Sequence, residues 1–218
     1  MTDFTLIHID DALLVLDKPA GLLAVPGRGA DKQDCLSARV QQRYPEALIV
    51  HRLDMATSGL LVMARSPEAQ RALSKAFAAR QVHKRYVAVV QGALPPPDTA
   101  DGWGAIDLPL ILDWPNRPLS KVDFATGKPS LTRWRVARSG QTGEASPTTR
   151  VELEPVTGRS HQLRVHLLAL GHPILGDALY APPEVQALSP RLLLHACELT
   201  LPHPATAEPL RLVSPAPF

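Results

Sequence analysis

Residues 51–64 read HRLDMATSGLLVMA, and this segment organises the rest of the chain. Arg52 and Asp54 lie two positions apart, ahead of the uninterrupted apolar run that begins at Leu60. Such a run is typical of a buried strand, and the small residues 57–59 are of the kind that makes a tight turn. A carboxylate on a loop that a strand holds in place is well positioned to act on an external molecule. Asp54 is therefore a candidate functional group.

The composition predicts a folded chain whose partners are not revealed by its bulk charge. The 218 residues are 45% hydrophobic, which is enough for a packed core and argues against global disorder. The 22 prolines favour loops and strand edges over long helices. With 23 Lys and Arg against 21 Asp and Glu, the formal net charge is only +2. Any nucleic-acid-binding surface therefore has to be local.

Cysteine usage and hydropathy indicate the compartment. Cys35 and Cys197 lie far apart without a CxxC pattern, which favours two reduced thiols over a disulfide or a metal site. Residues 1–11 carry three acidic side chains and no basic stretch, so we expect no signal peptide. No apolar run approaches the roughly 18 residues of a membrane span. We expect a cytoplasmic protein without a membrane segment and without a metal.

Three helices can be predicted from capping residues and apolar spacing. Asp34 is a candidate cap for a helix that runs to about Tyr44. Ser66, followed by Pro67 and an acid, begins a second helix. Ser160 is the candidate cap of a third helix, which Gly171 closes.

Strand-like runs fill most of the remaining chain. Residues 4–9 and 12–16 predict a hairpin, and residues 199–213 predict a final hairpin. Further runs occupy residues 83–90, 106–112, 122–125, 131–136 and 150–156, and residues 140–147 form a polar loop. Roughly nine strands and three helices that do not alternate predict an α+β fold with a mostly antiparallel sheet.

Four segments resemble the motifs of the RluA-type pseudouridine synthases, which isomerise uridine within RNA. HRLDMATSGL at 51–60 is similar to the signature that carries the catalytic aspartate, and HKRY at 83–86 is similar to the motif with the active-site tyrosine. TGRSHQLRVH at 157–166 and RLLLHA at 191–196 resemble the third and closing motifs. The resemblance implies the pseudouridine synthase fold, a long bent mixed sheet with helices on its flanks.

The layout of the motifs adds a domain prediction. Many relatives carry an N-terminal RNA-binding domain of the S4 type, but here the catalytic segments begin almost at residue 1. We therefore expect a single catalytic domain over residues 1–218, without an S4 domain, and a monomer. The linking segments DWPNRP at 113–118 and TGKP at 126–129 resemble the subgroup that modifies a tRNA anticodon stem-loop and a 23S rRNA stem-loop.

The resemblance also implies the chemistry. The C1′–N1 bond of uridine breaks, the uracil turns over, and C5 joins C1′, a redox-neutral isomerisation that needs no cofactor. Asp54 is then the catalytic carboxylate, and a guanidinium from Arg164 keeps it ionised inside the pocket. Tyr86 stacks on the flipped uracil and is the candidate to move the proton from C5. Whether Asp54 attacks the sugar or assists base loss and recapture stays open.

The remaining candidates contact the RNA substrate. A base leaves its stack at a cost of a few kcal/mol, and the planar guanidinium of Arg52 is our candidate to fill the gap. Leu193 lies in the closing motif that lines the uracil pocket in the family. Candidates for phosphate contacts are basic side chains at or near the motifs: Lys84, Arg85, Arg133, Arg135 and Arg159.

Other interpretations of these residues are weaker. His51, His161 and His166 suggest a metal site, but 161 and 166 do not share a helix face, and structural hydrogen bonds explain them better. A Ser58–His51–Asp54 triad lacks a GxSxG turn. A glycoside or nucleoside hydrolase needs a second carboxylate near Asp54, and none is evident. A non-catalytic RNA chaperone is the alternative from another class.

Overall fold

A computed structural model describes residues 4–139 and 147–218. The described residues form two compact units, one of residues up to Lys84 together with His195–Pro217, the other of Arg85–Leu194 with Phe218. The single catalytic domain stays a prediction. Most of the polar loop expected at residues 140–147 lies outside the described residues. No helix in the described part of the chain is long and apolar enough to cross a membrane.

The first unit combines a mainly antiparallel set of strands with two helices. Its elements are β1 (Thr5–Ile9), β2 (Leu13–Lys18), α1 (Leu36–Arg43), β3 (Leu48–Ile49), β4 (Ser58–Ala64), α2 (Pro67–Ala78), β11 (Leu194–Pro202) and β12 (Pro209–Val213). The strand order is β1–β2–β4–β11, with β3 paired to β4 and β12 paired to β11. β4 and β11 run parallel, whereas the other pairs named here are antiparallel. Both predicted hairpins are confirmed.

β4 lies at the centre of the first unit because every one of its residues is apolar or small. All seven are buried, as the uninterrupted run in the sequence predicts. Leu13, Val62, Leu73, Leu201 and Leu212 meet in one core cluster built from strands and from α2. The side-chain oxygen of Ser66 accepts a hydrogen bond from the Ala69 N–H, which confirms the predicted cap of α2.

The other predicted cap in this unit is wrong. α1 begins at Leu36 behind Cys35, which makes no side-chain cap bond. Asp34 instead forms two hydrogen bonds with Arg39 at 2.7 Å, since a guanidinium competes successfully for a short carboxylate. α1 ends at Arg43 ahead of Pro45, close to the predicted end.

The second unit contains an antiparallel four-stranded arrangement and a separate hairpin. Its elements are β5 (His83–Gln91), β6 (Gly104–Asp107), β7 (Leu110–Leu112), β8 (Ser120–Val122), β9 (Leu131–Ser139), β10 (Thr148–Pro155), α3 (Gln162–Ala169) and α4 (Pro183–Gln186). The strand order is β5–β10–β9–β6, and β7 pairs with β8 alone. The α+β class with mixed, mainly antiparallel strands is confirmed.

Two strand predictions in this unit need correction. The run at 106–112 forms two separate strands, because residues 108 and 109 belong to neither β6 nor β7. The run predicted at 122–125 is mostly a turn: Asp123 accepts hydrogen bonds from the N–H groups of Ala125 and Thr126. An Asx turn of this kind competes with a strand ladder.

Candidate active site

Asp54 lies on the loop that leads into β4 and is partly buried. The chain turns at Met55 and Ala56, where the Thr57 N–H donates to the Asp54 carbonyl over 3.1 Å. The sequence predicted the turn at residues 57–59. It lies just before them, and Ser58 and Gly59 already belong to β4. The Asp54 side chain is therefore carried by a short, defined turn at the start of a buried strand.

The side chain of Lys18 holds this loop through hydrogen bonds to backbone carbonyls. Its side chain is fully buried, and its ammonium donates to the carbonyls of Pro19 at 2.8 Å, Leu22 at 2.7 Å and Met55 at 3.0 Å. The Gly21 N–H donates to the same Met55 carbonyl at 2.9 Å. A lysine is rarely buried so completely, and the residue next to Asp54 is one of its acceptors. This role of Lys18 was not predicted from the sequence, in which only the segment KPAG at 18–21 marks the position.

A buried polar network holds the start of β4. The Ser58 hydroxyl lies 2.9 Å from Nδ1 of His195, whose Nε2 lies 3.1 Å from the hydroxyl of Ser214. The Ser214 hydroxyl donates to Asp17 over 2.9 Å. His195 is 1% exposed, so these bonds are shielded from water. The network joins β4, β11 and the chain after β12.

His51 has a structural role. Its Nε2 accepts the Val62 N–H at 3.0 Å, and its ring stacks on Phe77 with 4.7 Å between the centroids. Burial, aided by the charge of Lys84, lowers the pKa of His51 to about 3, so the ring is neutral at pH 7. The Ser58 hydroxyl contacts His195 as described, and a triad of Ser58, His51 and Asp54 gains no support.

The substrate candidates of the first unit differ in exposure. Arg52 is exposed to solvent, as a side chain that fills a gap in RNA has to be. Lys84 is half-buried, and this burial lowers the pKa of its ammonium. Arg52 and Lys84 share the first unit with Asp54.

Tyr86 lies on β5 in the second unit, directly opposite Leu153 of β10. Its side chain is partly buried. β10 alternates as the sequence predicts, with Val151 and Leu153 fully buried. Tyr86 is thus held on a strand rather than on a flexible loop, which is what precise placement of a proton-transfer group requires.

Arg164 lies on α3 and is 3% exposed. Its Nε and Nη2 atoms donate to the two carboxylate oxygens of Asp177 at 2.8 Å and 2.6 Å. The guanidinium carbon lies 4.9 Å from the centre of the Tyr180 ring. A bidentate ion pair fixes the orientation of an arginine side chain. Asp177 and Tyr180 were missed, although Asp177 ends the segment HPILGD at 172–177, which closely follows the third motif.

The beginning of α3 corrects the sequence analysis. Ser160 does not cap the helix, which follows His161 in a left-handed conformation with φ of 56°. No side chain among the residues that the structure describes caps α3; the Gln162 side-chain oxygen instead accepts the Arg159 N–H and the Thr157 hydroxyl at 3.0 and 2.7 Å, which orders the chain before the helix. Gly171, with φ of 82°, follows the end of α3 as predicted.

His161 and His166 make hydrogen bonds. Nδ1 of His161 lies 2.6 Å from the Tyr180 hydroxyl. His166 is fully buried between the Thr132 hydroxyl and the Leu108 carbonyl, and burial lowers its pKa. In the described residues, no three His, Cys, Asp or Glu side chains are grouped as a metal site would require.

Arg159 and Leu193 have different surroundings. Arg159 is exposed and makes long hydrogen bonds of 3.3 and 3.4 Å to the Pro129 carbonyl. Leu193 packs against the cluster of Leu175, Ala181 and Val185, and its N–H donates to the Leu175 carbonyl. An exposed cation and a half-buried leucine suit the phosphate and pocket roles given to them, which stay predictions.

Three arginines proposed for phosphate contacts instead take part in a ladder of ion pairs. Arg135 contacts Glu152 at 2.7 Å, Arg85 contacts Glu154 at 2.8 Å, and Arg133 contacts Asp101 at 2.6 Å. All three guanidinium carbons lie 4.7–5.8 Å from the Trp103 ring centre. The neighbouring carboxylates offset most of this positive charge, so a phosphate gains little here.

The comparisons with known proteins agree with this architecture. Residues 12–169 match the family model described as RNA pseudouridylate synthase. The dual-specificity RNA pseudouridine synthase RluA of Escherichia coli strain K12 is 51% identical over 213 residues, which are 98% of this chain and 93% of that protein. RluA of Yersinia pestis is 48% identical over 97% of this chain and 98% of its own length.

A solved structure gives the same result for the fold. Human RNA pseudouridylate synthase domain containing 1 matches with a TM-score of 0.80 and 29% identity, over 100% of this chain and 85% of that one. The resemblance seen in the motifs, including the likeness to RluA, is confirmed. The chain belongs to the RNA pseudouridylate synthase family.

Proposed function

We propose that this RNA pseudouridine synthase isomerises specific uridines in a tRNA anticodon stem-loop and in a 23S rRNA stem-loop. The observation that carries the proposal is 51% identity, over 98% of the chain, to an enzyme named for dual specificity. We further propose that it acts in the cytoplasm as a monomer. Family membership makes the enzyme an isomerase.

In the proposed mechanism, Asp54 acts at C1′ of the target uridine. The C1′–N1 bond breaks, the uracil turns over, and C5 bonds to C1′. The proton on C5 is lost and N1 gains one, so the product has the same atoms as the substrate. Asp54 either attacks C1′ or assists base departure and recapture. Each route requires an ionised carboxylate, and each moves a proton from C5, which we assign to Tyr86.

Arg164 is proposed to keep the Asp54 carboxylate ionised. Asp177 offsets part of the charge of Arg164, but the bidentate bond fixes the orientation of the guanidinium before the substrate binds. The buried Lys18 ammonium and the network of Ser58 and His195 support the loop that carries Asp54. These supports favour a preorganised site.

RNA binding is proposed to use cations at or near the motifs. Arg52 occupies the place that the flipped uridine leaves, since a planar guanidinium stacks on neighbouring bases. Lys84 and Arg159 contact backbone phosphates, and Leu193 lines the pocket for the uracil. A hydrolase or a chaperone is not favoured, because the similar proteins named above are pseudouridine synthases.

Incubation with unmodified RNA tests the proposal. A tRNA anticodon stem-loop and a 23S rRNA stem-loop are treated with the enzyme, and carbodiimide-based mapping then locates pseudouridine. We expect a specific uridine to be modified in each RNA. Free uracil in place of pseudouridine would indicate a hydrolase, and modification of one RNA alone would contradict dual specificity.

A further inference from the structure

The hairpin of β7 and β8, with its flanking turns, presents two strongly exposed aromatic side chains. Trp114 is 63% exposed and Phe124 is 78% exposed, more than any other large apolar side chain in the described part of the chain. The other two tryptophans, Trp103 and Trp134, are at least half-buried. Large exposed aromatics are unfavourable in water and mark contact surfaces. These two have no explanation in the packing of the second unit.

Ordered turns fix the backbone at both aromatic residues. Before Trp114, the Asp113 N–H donates to the Leu119 carbonyl, and the Asp113 side chain accepts the Asn116 amide at 2.9 Å. Around Phe124, the Asp123 carboxylate accepts three hydrogen bonds from residues 125 and 126. These bonds lower the pKa of Asp123. The rings are thus presented by a defined backbone, which lowers the entropic cost of binding.

The surface of this hairpin is cationic as well as aromatic. The guanidinium carbon of Arg117 lies 3.9 Å from the Trp114 ring centre, which is a close cation–π stack. Arg117, Lys121 and Lys128 are exposed. Asp113 and Asp123 accept hydrogen bonds within the turns, and Asp113 also lies 4.0 Å from the Lys121 ammonium. An aromatic face with a cation beside it, as at Trp114, matches an unpaired nucleotide, because a base stacks on the ring and a phosphate meets the charge.

One side chain connects the hairpin to the candidate active site of the second unit. The Ser120 N–H of β8 donates to the Tyr180 hydroxyl at 2.8 Å. The same Tyr180 ring packs on the Arg164 guanidinium, and its hydroxyl contacts His161 at 2.6 Å. A nucleotide bound on the hairpin would therefore be bound next to the element that carries Arg164.

We propose that Trp114 and Phe124, with Arg117, Lys121 and Lys128, form an RNA-binding surface for unpaired nucleotides that flank the target uridine. This inference rests on the proposed function, since it names where that function's substrate is held. The surface supplies binding affinity, and the chemistry stays with Asp54, Tyr86 and Arg164.

Binding measurements on a catalytically inactive background test the proposal. The dissociation constant of an anticodon stem-loop is measured with Asp54→Asn, and with the same protein that also carries Trp114→Ala or Phe124→Ala. Each aromatic change should weaken binding about 10-fold, since one base stack is lost. Trp114→Phe should retain binding to within about 3-fold, because a phenyl ring still stacks. RNA should quench Trp114 fluorescence, measured as the difference from Trp114→Phe.

Leu188→Ala is the matched control, since Leu188 is an exposed apolar residue of the same unit outside this surface. It should bind RNA like the parent. Unchanged binding by both aromatic variants would overturn the proposal. So would a change in sedimentation without a change in RNA affinity, which would indicate a surface for a second copy. Because binding is measured without turnover, failure of this inference is separable from failure of the enzymatic function, which the mapping experiment reports.

Discussion

Lys18 places a buried positive charge beneath the loop of the candidate catalytic residue. Its three carbonyl contacts join Pro19 and Leu22 to Met55, the neighbour of Asp54. Burial of a charge is unfavourable unless hydrogen bonds compensate for it. We infer that Lys18 is a positioning residue, which sets where the Asp54 carboxylate lies.

Replacement of Lys18 by methionine should lower kcat more than it raises KM. Methionine fills similar space but donates no hydrogen bond, so the Met55 carbonyl loses a partner and the loop can shift. A displacement of about 1 Å costs roughly 100-fold in rate. Steady-state kinetics on an RNA stem-loop, well below the melting temperature, measure the effect. Lys75→Met, at an exposed position of α2, is the control, and an unchanged kcat for Lys18→Met would contradict the positioning role.

The buried His51 should make the stability of the folded protein sensitive to acid. The folded protein holds its pKa near 3, whereas the unfolded chain titrates near 6.5. Below pH 6.5 the unfolded state therefore binds a proton that the folded state does not. Between pH 6.5 and pH 3, the free energy of unfolding therefore decreases as the pH is lowered, by up to about 1.4 kcal/mol per pH unit.

Urea unfolding at pH 7 and pH 5 measures this loss. His51→Gln retains an acceptor for the Val62 N–H and does not titrate. Its loss of stability between the two pH values should be smaller than the wild-type loss by up to about 2 kcal/mol. His83→Gln, at an exposed position, should follow the wild type. Equal losses for all three proteins would show that His51 is not responsible.

At the scale of elements, α2 depends on its cap. The Ser66 hydroxyl bonds to the Ala69 N–H at 3.1 Å, so Ser66→Ala should reduce the free energy of unfolding by about 1 kcal/mol. Ser74→Ala lies on the exposed face of the same helix and should have no cost, since alanine is the better helix former. Chemical denaturation of both variants measures this difference, and equal effects would contradict it.

The close approach of β4 to β11 requires a glycine at position 59. The φ of Gly59 is +109°, and a Cβ atom there would lie 2.3 Å from the Ala196 carbonyl oxygen on β11. Gly59→Ala should therefore destabilise the fold by more than about 3 kcal/mol, because both backbone strain and a clash result. Gly102→Ala adds a Cβ into open space at φ of +68°, so it isolates the strain, at about 1–2 kcal/mol. Thermal melts of the two variants compare these costs, and equal melting temperatures would exclude the clash.

The sequence predicted correctly those helices and strands that are determined by residues within or next to them. Ser66 with Pro67 defined a helix start, and the apolar run from Leu60 defined a buried strand, because the signal and the element lie together. The cap at Asp34 failed because Arg39 binds its carboxylate, and Ser160 is not the cap because α3 starts behind His161, which has a left-handed conformation. Local patterns do not reveal such competition.

The supports of the site could not be predicted because their partners are distant in sequence. Lys18 reaches Met55, which is 37 residues away, and Ser58 reaches His195, which is 137 residues away. Asp177 is 13 residues from Arg164. The resemblance identified the candidates Asp54, Tyr86 and Arg164, whereas the residues that position them became visible through the three-dimensional contacts.

For the molecule as a whole, charge location matters more than net charge. The formal charge of +2 is small, and ion pairs in the second unit offset the charge of Arg85, Arg133 and Arg135. Exposed cations at Arg52, at Arg159 and on the β7–β8 hairpin are among the side chains that we propose for RNA contacts. This distribution favours recognition of a particular RNA shape over general attraction to nucleic acid.

The central claim is that Asp54 drives isomerisation of uridine in RNA. The most direct measurement is tritium release from a stem-loop that carries 5-tritiated uridine, since formation of the C5–C1′ bond expels that hydrogen. The wild type should release tritium in proportion to pseudouridine formed. Asp54→Asn should release none while it binds the RNA with nearly unchanged affinity. Release by Asp54→Asn at a rate close to that of the wild type would contradict the account.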